Sequence, residues 1–160
     1  MADTRFTIMD TPVGELLLAA TDDGLSGVQF APHRPPQGQR DDDALGDVVA
    51  QFAEYFDGRR TTFDVTLAPA GTPFQRAVWS AIATIPYGET VSYGSIAAGI
   101  GKPSASRAVG MATGRNPIVI IIPCHRVVGA DGSLTGFGGG LDRKTLLLDL
   151  EAGRSRLTPR

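Results

Sequence analysis

The amino-terminal third of the chain consists of short apolar runs separated by turn residues. The runs are rich in residues that favour strands, and aspartate, glycine and proline lie between them. This pattern predicts three β-strands, at residues 5–9, 15–20 and 25–30. Three prolines and three consecutive aspartates then predict a surface loop over residues 32–43, with the aspartates capping the next element.

One helix and one further strand are predicted between this loop and the middle of the chain. Apolar residues recur at helical spacing over residues 45–56, and Gly58 is placed to end that helix. Apolar residues alternate with polar ones over residues 63–67, which predicts a half-buried strand. The Ala-Pro-Ala-Gly segment at residues 68–71 is the best candidate for a domain boundary.

Helical spacing dominates after residue 71. Thr72 can cap a helix, and Pro73 suits its first turn. Apolar residues within 74–82 share one face of this helix, and Trp79 is predicted to belong to the core rather than to a ligand site.

Two shorter helices follow around a Gly-Lys-Pro turn. Ser92 can cap the first, over residues 93–100, and Ser104 can cap the second, which extends to about residue 113. Such a pair has the outline of a helix-turn-helix. Many helical pairs with this outline do not bind DNA, so it is weak evidence on its own.

The last third of the chain combines one very apolar segment with a glycine-rich loop. Five consecutive aliphatic residues at 118–122 predict a buried strand, and the loop that follows leads to a final predicted helix over residues 142–151. Together the elements predict an α+β protein. A small strand-rich domain at residues 1–70 would precede a helical domain with a helix-turn-helix at residues 71–160.

Composition narrows the class of protein. With 160 residues, of which 42% are hydrophobic and 20% charged, the chain resembles a globular protein of one domain or two small ones. Its longest apolar run is far shorter than the roughly 20 residues of a membrane helix, and the amino terminus lacks the apolar core of a secretory signal. A cytoplasmic location without a membrane partner is therefore expected.

The net charge of −2 hides an uneven distribution. Residues 1–80 contain 6 basic and 12 acidic residues, whereas residues 81–160 contain 9 basic and 5 acidic ones. A basic carboxyl-terminal half can face a polyanion. An uneven distribution without functional meaning fits these counts equally well.

The single cysteine is the main candidate for chemistry. It excludes an internal disulfide and a cysteine-cluster zinc site, and no metal site is predicted. Cys124 follows the most apolar predicted strand and lies between Pro123 and His125. A lone buried cysteine is usually a small apolar core residue. A neighbouring base or positive charge would instead lower the pKa of the thiol and favour a thiolate nucleophile.

Two reaction classes fit a cysteine nucleophile. A hydrolase forms a thioester with a carbonyl substrate, and water then regenerates the thiol. An alkyl transfer forms a thioether, which has no polarised carbonyl for water to attack, so the protein would act once. The spacing of the residues leaves both classes open.

Several motifs resemble those of the O6-alkylguanine-DNA alkyltransferases, also called methylated-DNA–protein-cysteine methyltransferases. The Pro-Cys-His-Arg-Val segment at residues 123–127 is similar to the active-site signature of that family. Further similar blocks follow the family's order and spacing and extend over nearly the whole chain: residues 10–14, 85–94, 106–110, 114–117 and 134–141. The resemblance implies a ribonuclease-H-like amino-terminal domain.

The resemblance also implies repair of alkylated DNA by direct damage reversal. The alkyl group of O6-alkylguanine, and also of O4-methylthymine, would be transferred once to Cys124, and no cofactor is implied. The partner would be double-stranded DNA containing alkylated bases, bound through the minor groove with the damaged nucleotide flipped out. The protein would act as a monomer.

Catalytic roles follow from the same resemblance. Cys124 would accept the alkyl group, and His125 would act as its base through a water molecule. Glu151 would orient His125, Asn116 would tie the helix-turn-helix to the active-site turn, and Tyr93 would give a proton to the leaving guanine. Without the family, Glu151 would be interpreted as a solvated carboxylate at a helix end, and Asn116 as a helix stop.

The implied DNA contacts lie around the helix-turn-helix. Arg107 would enter the base stack and fill the space of the flipped nucleotide, although an arginine early in a helix is usually just exposed. Lys102 and Arg115 are candidates for phosphate contacts. The remaining implied DNA contacts are Tyr93, Gly94, Ser106 and Gly110, and the implied base-pocket residues are Val127, Phe137 and Gly138.

The chain departs from the family's pattern at a few positions. Phe137 replaces a tyrosine of many relatives and Gly138 a serine, while Met111 and Thr113 replace smaller or amide residues. These changes affect the pocket and the substrate range rather than the reaction. A module that binds lesions without repairing them and a Cys-His hydrolase are the alternative functions. Cys124 argues against the first, because family members that bind without repair lack this cysteine.

Overall fold

The computed structural model describes residues 3–133 and 140–153, which form strands, α-helices and a 3-10 turn. The strands are β1 (Arg5–Thr11), β2 (Gly14–Thr21), β3 (Gly24–Phe30), β4 (Gln39–Arg40), β5 (Val91–Ser92) and β6 (Val127–Val128). The helices are α1 (Gly46–Phe56), α2 (Pro73–Ala83), α3 (Tyr93–Gly99), α4 (Ser106–Gly114) and α5 (Leu141–Glu151), and the 3-10 turn is Cys124–Arg126.

Four strands of the amino-terminal half form one sheet in the order β3-β2-β1-β4. Strands β1, β2 and β3 pair as antiparallel hairpins, and β4 pairs in parallel with β1. The turn into β3 requires Gly24, because its φ is +139° and a Cβ there would lie 2.6 Å from the carbonyl oxygen of Thr66. The three strands predicted in this region are confirmed.

Helix α1 packs against β1, and its buried side chains lie at the predicted spacing: Val48, Gln51, Phe52, Tyr55 and Phe56. The prediction that aspartates cap this helix is wrong. Leu45 is the N-cap residue, and no side chain bonds to the backbone there. Asp41 instead accepts from the N–H of Ala44, and Asp42 accepts from the Thr7 hydroxyl. These carboxylates therefore hold the preceding loop.

The strand predicted at residues 63–67 is not formed. Leu25 of β3 bonds to the end of the segment, with its N–H 2.8 Å from the carbonyl oxygen of Thr66. The Gln51 side chain replaces a neighbouring strand as the partner of Asp64. Its Oε1 accepts from the Asp64 N–H at 2.8 Å, and its Nε2 donates to the Asp64 carbonyl oxygen at 3.0 Å. The alternating apolar side chains are half-buried against the core. Only Leu67 pairs with β3, as an isolated parallel bridge to Leu25, so the alternation mainly reflects burial.

Helices α2, α3 and α4 pack together as the predicted helix-turn-helix unit. Thr72 and Gln75 form a reciprocal capping box at the start of α2, and Ser92 caps α3. Ser104 does not cap α4 as predicted, because the helix begins one residue later, with Ala105 as its N-cap residue.

Trp79 fixes the packing of α2 against α4. Its ring is 3% exposed, and its Nε1–H donates to the carbonyl oxygen of Ala112 at 2.9 Å. The prediction that this residue belongs to the core is confirmed.

Residues 118–122 form a tight loop, so the strand predicted there is wrong. One end pairs with Val28 of β3 through backbone hydrogen bonds of 2.9 and 3.2 Å. The chain reverses at Ile120, whose φ is +75°, and the N–H of Ile121 bonds back to the carbonyl oxygen of Val119 at 2.9 Å. A β-branched residue at positive φ is strained, so the surrounding contacts must hold it there.

Helix α5 connects both halves of the molecule. Its inner face is buried, and its first turn is tied to the β1–β2 turn by Arg143, whose Nε donates to the carbonyl oxygen of Val13 at 2.9 Å. The guanidinium also lies 5.1 Å from the ring centroid of Phe30. Among residues 3–133 and 140–153, no helix is long and apolar enough to cross a membrane.

Candidate active site and DNA-binding face

The 3-10 turn places a thiol, an imidazole and a guanidinium at consecutive buried positions. The N–H of Cys124 bonds to the carbonyl oxygen of Ile122 at 2.7 Å, and the N–H of Arg126 bonds to that of Pro123 at 2.9 Å. Cys124, His125 and Arg126 are all buried. The backbone therefore fixes these side chains inside the protein before any ligand arrives.

Asn116 clamps the loop that leads into this turn. Its Nδ2 donates to the carbonyl oxygen of Ile122 at 2.7 Å, and its Oδ1 accepts from the N–H of Ile118 at 2.9 Å. Asn116 comes directly after Arg115, the C-cap residue of α4. It therefore connects the helix-turn-helix to the active-site turn, which a simple helix stop would not do.

Burial raises the pKa of the Cys124 thiol to about 11. A hydrogen bond from Asn116 and the positive charge of Lys144 lower it, but burial outweighs both. The surroundings were expected to lower this pKa, and that expectation is wrong for the protein without substrate. The thiol keeps its proton at neutral pH and needs a base to become a nucleophile.

His125 follows Cys124 directly in the chain and pairs with Glu151. Its Nε2 is 2.7 Å from Glu151 Oε2, and because a carboxylate only accepts, Nε2 must carry the hydrogen. In the neutral ring Nδ1 then has the free lone pair, and this fully buried atom has no hydrogen-bond partner among the described residues. Burial lowers the pKa of His125 although the hydrogen bond to Glu151 raises it, so the ring is neutral at pH 7.

Glu151 is the centre of a buried hydrogen-bond network. Besides His125, Arg126 donates to it through Nε at 2.7 Å and Nη2 at 3.0 Å, and the Tyr55 hydroxyl donates at 2.5 Å. Burial alone would raise the pKa of Glu151, but the hydrogen bonds and charges of His125 and Arg126 lower it to about 2. The alternative of a solvated carboxylate is therefore wrong. We call Tyr55, Cys124, His125, Arg126 and Glu151 the active-site cluster.

Three members of this environment were not predicted from the sequence. Lys144 is fully buried, and its Nζ donates to the carbonyl oxygen of Val127 at 2.6 Å. Its place on the same helical face as Leu147 and Glu151 was a usable signal. Arg126 lies within the quoted motif, but nothing in the sequence pairs it with Glu151. Tyr55 lies on the core face of α1, and its polar contact depends on the tertiary fold.

The structure places the predicted substrate-side residues at different depths. Tyr93 is the first residue of α3, is half-buried, and has its ring against α4, where a Cβ at Gly110 would be 3.9 Å from Tyr93 Cδ1. Gly94 is also half-buried. Val127 is fully buried, and its carbonyl oxygen accepts from Lys144 Nζ at 2.6 Å. Phe137 and Gly138 lie outside the described residues.

The outer side of α4 is uncovered. Its first residues, Ser106 and Arg107, are exposed, and so is Arg115 just beyond its end. Met111, one turn from each arginine, is 62% exposed, an unusual position for a large apolar side chain. We call Ser106, Arg107, Gly110, Met111 and Arg115 the α4 face. Lys102 is exposed in the preceding turn, with its ammonium group 5.5 Å from the Phe74 ring centroid.

A groove of about 720 Å³ leads from the surface to Cys124. Its walls come from the end of α4, the loop around Asn116, and β3 with Arg34 after it. The groove therefore ends at Cys124, beside the carboxyl-terminal end of α4. Within residues 3–133 and 140–153, no group of His, Cys, Asp and Glu side chains is arranged to hold a metal ion.

Sequence models of one protein family match both halves of the chain. Residues 4–69 match the ribonuclease-like domain of 6-O-methylguanine DNA methyltransferase, and residues 73–153 match its DNA binding domain. The chain belongs to this family. A methylated-DNA–protein-cysteine methyltransferase of Methanosarcina acetivorans is 48% identical over 151 residues, which are 91% of this chain and 97% of the relative. One from Mycobacterium tuberculosis is 49% identical over 156 residues, 94% of each chain.

Solved structures of the family have the same fold. The Mycobacterium tuberculosis OGT in complex with DNA superposes with a TM-score of 0.88 at 49% identity, over 96% of this chain and 94% of that one. The O6-methylguanine-DNA methyltransferase of Pyrococcus kodakaraensis superposes with a TM-score of 0.56 at 22% identity, over 92% and 98% of the two chains, which supports the fold alone.

Membership confirms the main expectations from the sequence. The α+β fold with a ribonuclease-like domain followed by a DNA-binding domain is confirmed, and so is assignment to the methyltransferases that reverse DNA damage directly. The division at residues 70 and 71 and the roles of individual side chains stay predictions. The structure does bring Cys124, His125, Asn116 and Glu151 together at one site.

Proposed function

We propose that this protein transfers the alkyl group of O6-alkylguanine in DNA to Cys124 in a single turnover. The Cys124 sulfur forms a bond to the alkyl carbon, and the bond from that carbon to guanine O6 breaks. The electron pair stays with the guanine, which takes up a proton. The observation that carries the proposal is the buried pairing of His125 with Glu151 next to the only cysteine.

The buried thiol requires activation. With a pKa of about 11, Cys124 is protonated at neutral pH, and the neutral His125 offers its Nδ1 lone pair to take that proton through a water molecule. The nearby Lys144 ammonium group stabilises the thiolate once it forms. Glu151 holds the imidazole ring and stabilises the imidazolium that results. The arrangement of Cys124, His125 and Glu151 therefore supports transfer of the thiol proton to His125 before the sulfur attacks the alkyl carbon.

The leaving base requires a proton donor. Expulsion of guanine as an anion is costly, and proton donation to the base lowers the barrier. Tyr93, half-buried at the start of α3 and packed against α4, is the proposed donor. Asn116 acts by holding the Cys124 turn in place. Val127, Phe137 and Gly138 complete the proposed base pocket.

Delivery of the base is assigned to the α4 face and its neighbours. Helix α4 would lie in the minor groove, where its small residues let the backbone approach the DNA. Arg107 would fill the stack after the damaged nucleotide is flipped out, because a stacked base cannot reach a buried thiol. Lys102 and Arg115 would contact phosphates, and Gly94, Ser106 and Gly110 would line the contact.

The proposal also includes a second substrate, the oligomeric state, the domain division and the cellular location. O4-methylthymine is a second substrate, the protein acts as a monomer, and residues 1–70 and 71–160 are its two domains. A cytoplasmic location suits the chemistry, because Cys124 must stay reduced to accept an alkyl group.

An intact-protein mass after incubation with an equimolar O6-methylguanine duplex tests this proposal. We expect a gain of one CH₂ unit, located on Cys124 by peptide mapping, with unmodified guanine in the DNA and no further repair when fresh damaged duplex is added. An unmodified protein beside an intact lesion would indicate a binding module. Repeated cleavage of an ester substrate by unmodified protein would indicate a hydrolase. Either result would overturn the proposal.

A further inference from the structure

The carboxylate of Glu151 receives hydrogen bonds from both halves of the molecule. His125 and Arg126 come from the active-site turn in the carboxyl-terminal half. Tyr55 comes from α1 in the amino-terminal half, 96 positions earlier in the chain, and its hydroxyl is 2.5 Å from Glu151 Oε2. The amino-terminal half therefore contributes a side chain to the proposed proton-transfer chain.

Tyr55 is held rigidly enough to act on this oxygen. Its side chain is fully buried, and its ring centroid lies 5.2 Å from that of Phe56, 5.5 Å from Phe63 and 6.2 Å from Tyr87. Burial raises the pKa of Tyr55 well above its ordinary value, with the Glu151 charge adding to this. The hydroxyl group is therefore a neutral, permanently protonated donor that points at one carboxylate oxygen.

The hydroxyl shares its acceptor with the proposed base. Glu151 Oε2 lies 2.5 Å from the Tyr55 hydroxyl, 2.7 Å from His125 Nε2 and 3.0 Å from Arg126 Nη2. Each donor to a carboxylate oxygen reduces the negative charge that the others experience. A strong hydrogen bond from Tyr55 thus weakens the pull of Glu151 on the His125 ring.

We propose that Tyr55 is a positioning residue of the alkyl-transfer site, which orients Glu151 across the interface between the two halves and limits the basicity of His125. The inference rests on the proposed function, because it acts through His125 as the base. Burial already lowers the pKa of His125 against the pull of Glu151 at 2.7 Å, and the Tyr55 hydrogen bond acts in the same direction by reducing the negative charge at Oε2. Tyr55 thereby helps Glu151 to hold the ring in orientation without raising the pKa of His125 further.

The other charged and titratable groups around this pair come from several elements. Arg126 of the active-site turn and Lys144 of α5 both lower the pKa of His125 by their positive charge. Cys124 precedes His125, and the charge of its thiolate raises the pKa of Lys144. Tyr87 and the N–H of Gly88, which is 3.5 Å from Glu151 Oε1, face the carboxylate from the segment before β5. All of these groups remain when only the Tyr55 hydroxyl is removed.

The variant Tyr55→Phe tests the inference through the pH profile of alkylation. The rate constant for modification of Cys124 by free O6-benzylguanine is measured across pH, so that DNA binding plays no part. Wild-type protein should lose rate on the acid side as His125 becomes protonated. In Tyr55→Phe the pKa of this acid limb should rise by about one unit, so that the rate below the limb falls about tenfold. At pH values above the acid limb, the rate constants of the two proteins should agree within about twofold.

Tyr87→Phe is the matched control. It removes a tyrosine hydroxyl from the same aromatic cluster, but Tyr87 makes no hydrogen bond to Glu151 among the described contacts. Its acid limb should coincide with that of the wild type. A merely structural effect of losing a hydroxyl would lower the rate at all pH values and would not move the limb.

Site-specific replacement of Tyr55 by 3-fluorotyrosine keeps the test decisive if Tyr55→Phe fails to fold. Fluorination makes the phenol a stronger donor while preserving its size, so the acid limb should move to lower pH. An unmoved limb in folded Tyr55→Phe, or an unmoved limb with fluorotyrosine, overturns the inference alone, provided that wild-type Cys124 is alkylated. A wild-type protein that is never alkylated overturns the proposed function instead. An alkylated wild-type protein without an acid limb overturns the inference, because the protonation of His125 then does not control the rate.

Discussion

The active-site cluster and the α4 face differ in how their side chains are held. In the cluster, His125 and Glu151 are buried, and the side-chain donors of Tyr55, His125 and Arg126 lie 2.5–3.0 Å from the Glu151 carboxylate oxygens. On the α4 face, Arg107 and Arg115 are exposed and make no side-chain hydrogen bond to another described residue. The proposed chemical groups are therefore positioned by the protein, whereas no other described side chain holds the two proposed DNA-binding arginines.

This difference separates two kinds of mutational effect. A buried ion pair that loses one partner leaves an uncompensated charge, which costs both stability and reactivity. An exposed arginine that is removed leaves the fold unchanged and affects only the encounter with DNA. The following predictions test whether the two regions behave independently, from the largest expected effect to the smallest.

Removal of the nucleophile should give the largest effect. Cys124→Ala should abolish alkylation by both duplex and free O6-benzylguanine, because no other cysteine exists in the chain. Its affinity for an O6-methylguanine duplex, measured by fluorescence anisotropy, should stay within about twofold of wild type, since the α4 face is untouched. Residual protein-bound alkyl label would show that another residue is the acceptor.

Removal of the buried carboxylate should affect reaction and stability together. Glu151→Gln should slow alkylation on both substrates about 100-fold and lower the free energy of unfolding by about 3 kcal/mol. The measurements are single-turnover kinetics and urea unfolding. Glu54→Gln is the matched control, because Glu54 pairs with Arg60 at 3.0 Å near the surface and should cost less than about 1 kcal/mol. Equal losses of unfolding free energy in the two variants would contradict the difference between the buried and the exposed carboxylate.

Acid should destabilise the protein through His125 and Glu151. The folded-state pKa of His125 is lowered, so its contribution to stability is present above the unfolded pKa of about 6.5 and is lost as the pH falls below it. The pKa of Glu151 is about 2 when folded against 4.5 as the reference value, so its contribution is lost between those values. Urea unfolding should show stability falling from pH 7 to pH 3, and below about pH 4.5 the fall should be less steep in Glu151→Gln, which lacks the titrating carboxylate. A flat wild-type profile would contradict this.

Loss of single phosphate contacts should give the smallest effect. Lys102→Ala and Arg115→Ala should each reduce the slope of log affinity against log salt by about 1 on undamaged duplex. Anisotropy titrations over a range of salt concentrations provide the slope. The rate with free O6-benzylguanine should not change in either variant. Unaltered slopes would show that Lys102 and Arg115 do not contact DNA phosphates.

The sequence was most informative where local chemistry decides the structure. The capping box of Thr72 and Gln75 and the cap at Ser92 depend only on neighbouring residues, and the structure has both. The Pro-Cys-His-Arg-Val motif likewise located the site, and the geometry places Glu151 against His125.

Tertiary contacts decided the features that the sequence could not reveal. Residues 118–122 have the composition of a strand, but the clamp by Asn116 and the pairing with Val28 bend them into a loop. Tyr55 lies among apolar core positions of α1, and only the packing of the two halves brings it to Glu151. The thiol pKa rose instead of falling, because burial of Cys124 outweighs its polar neighbours.

The central claim is that the active-site cluster is complete without DNA and that the α4 face only delivers the base. The most direct test compares the alkylation rate of Arg107→Ala on an O6-methylguanine duplex and on free O6-benzylguanine, with Arg59→Ala as an exposed control in the amino-terminal half. We predict a loss of at least about tenfold on the duplex and less than about twofold on the free base. Equal losses on both substrates would contradict the account.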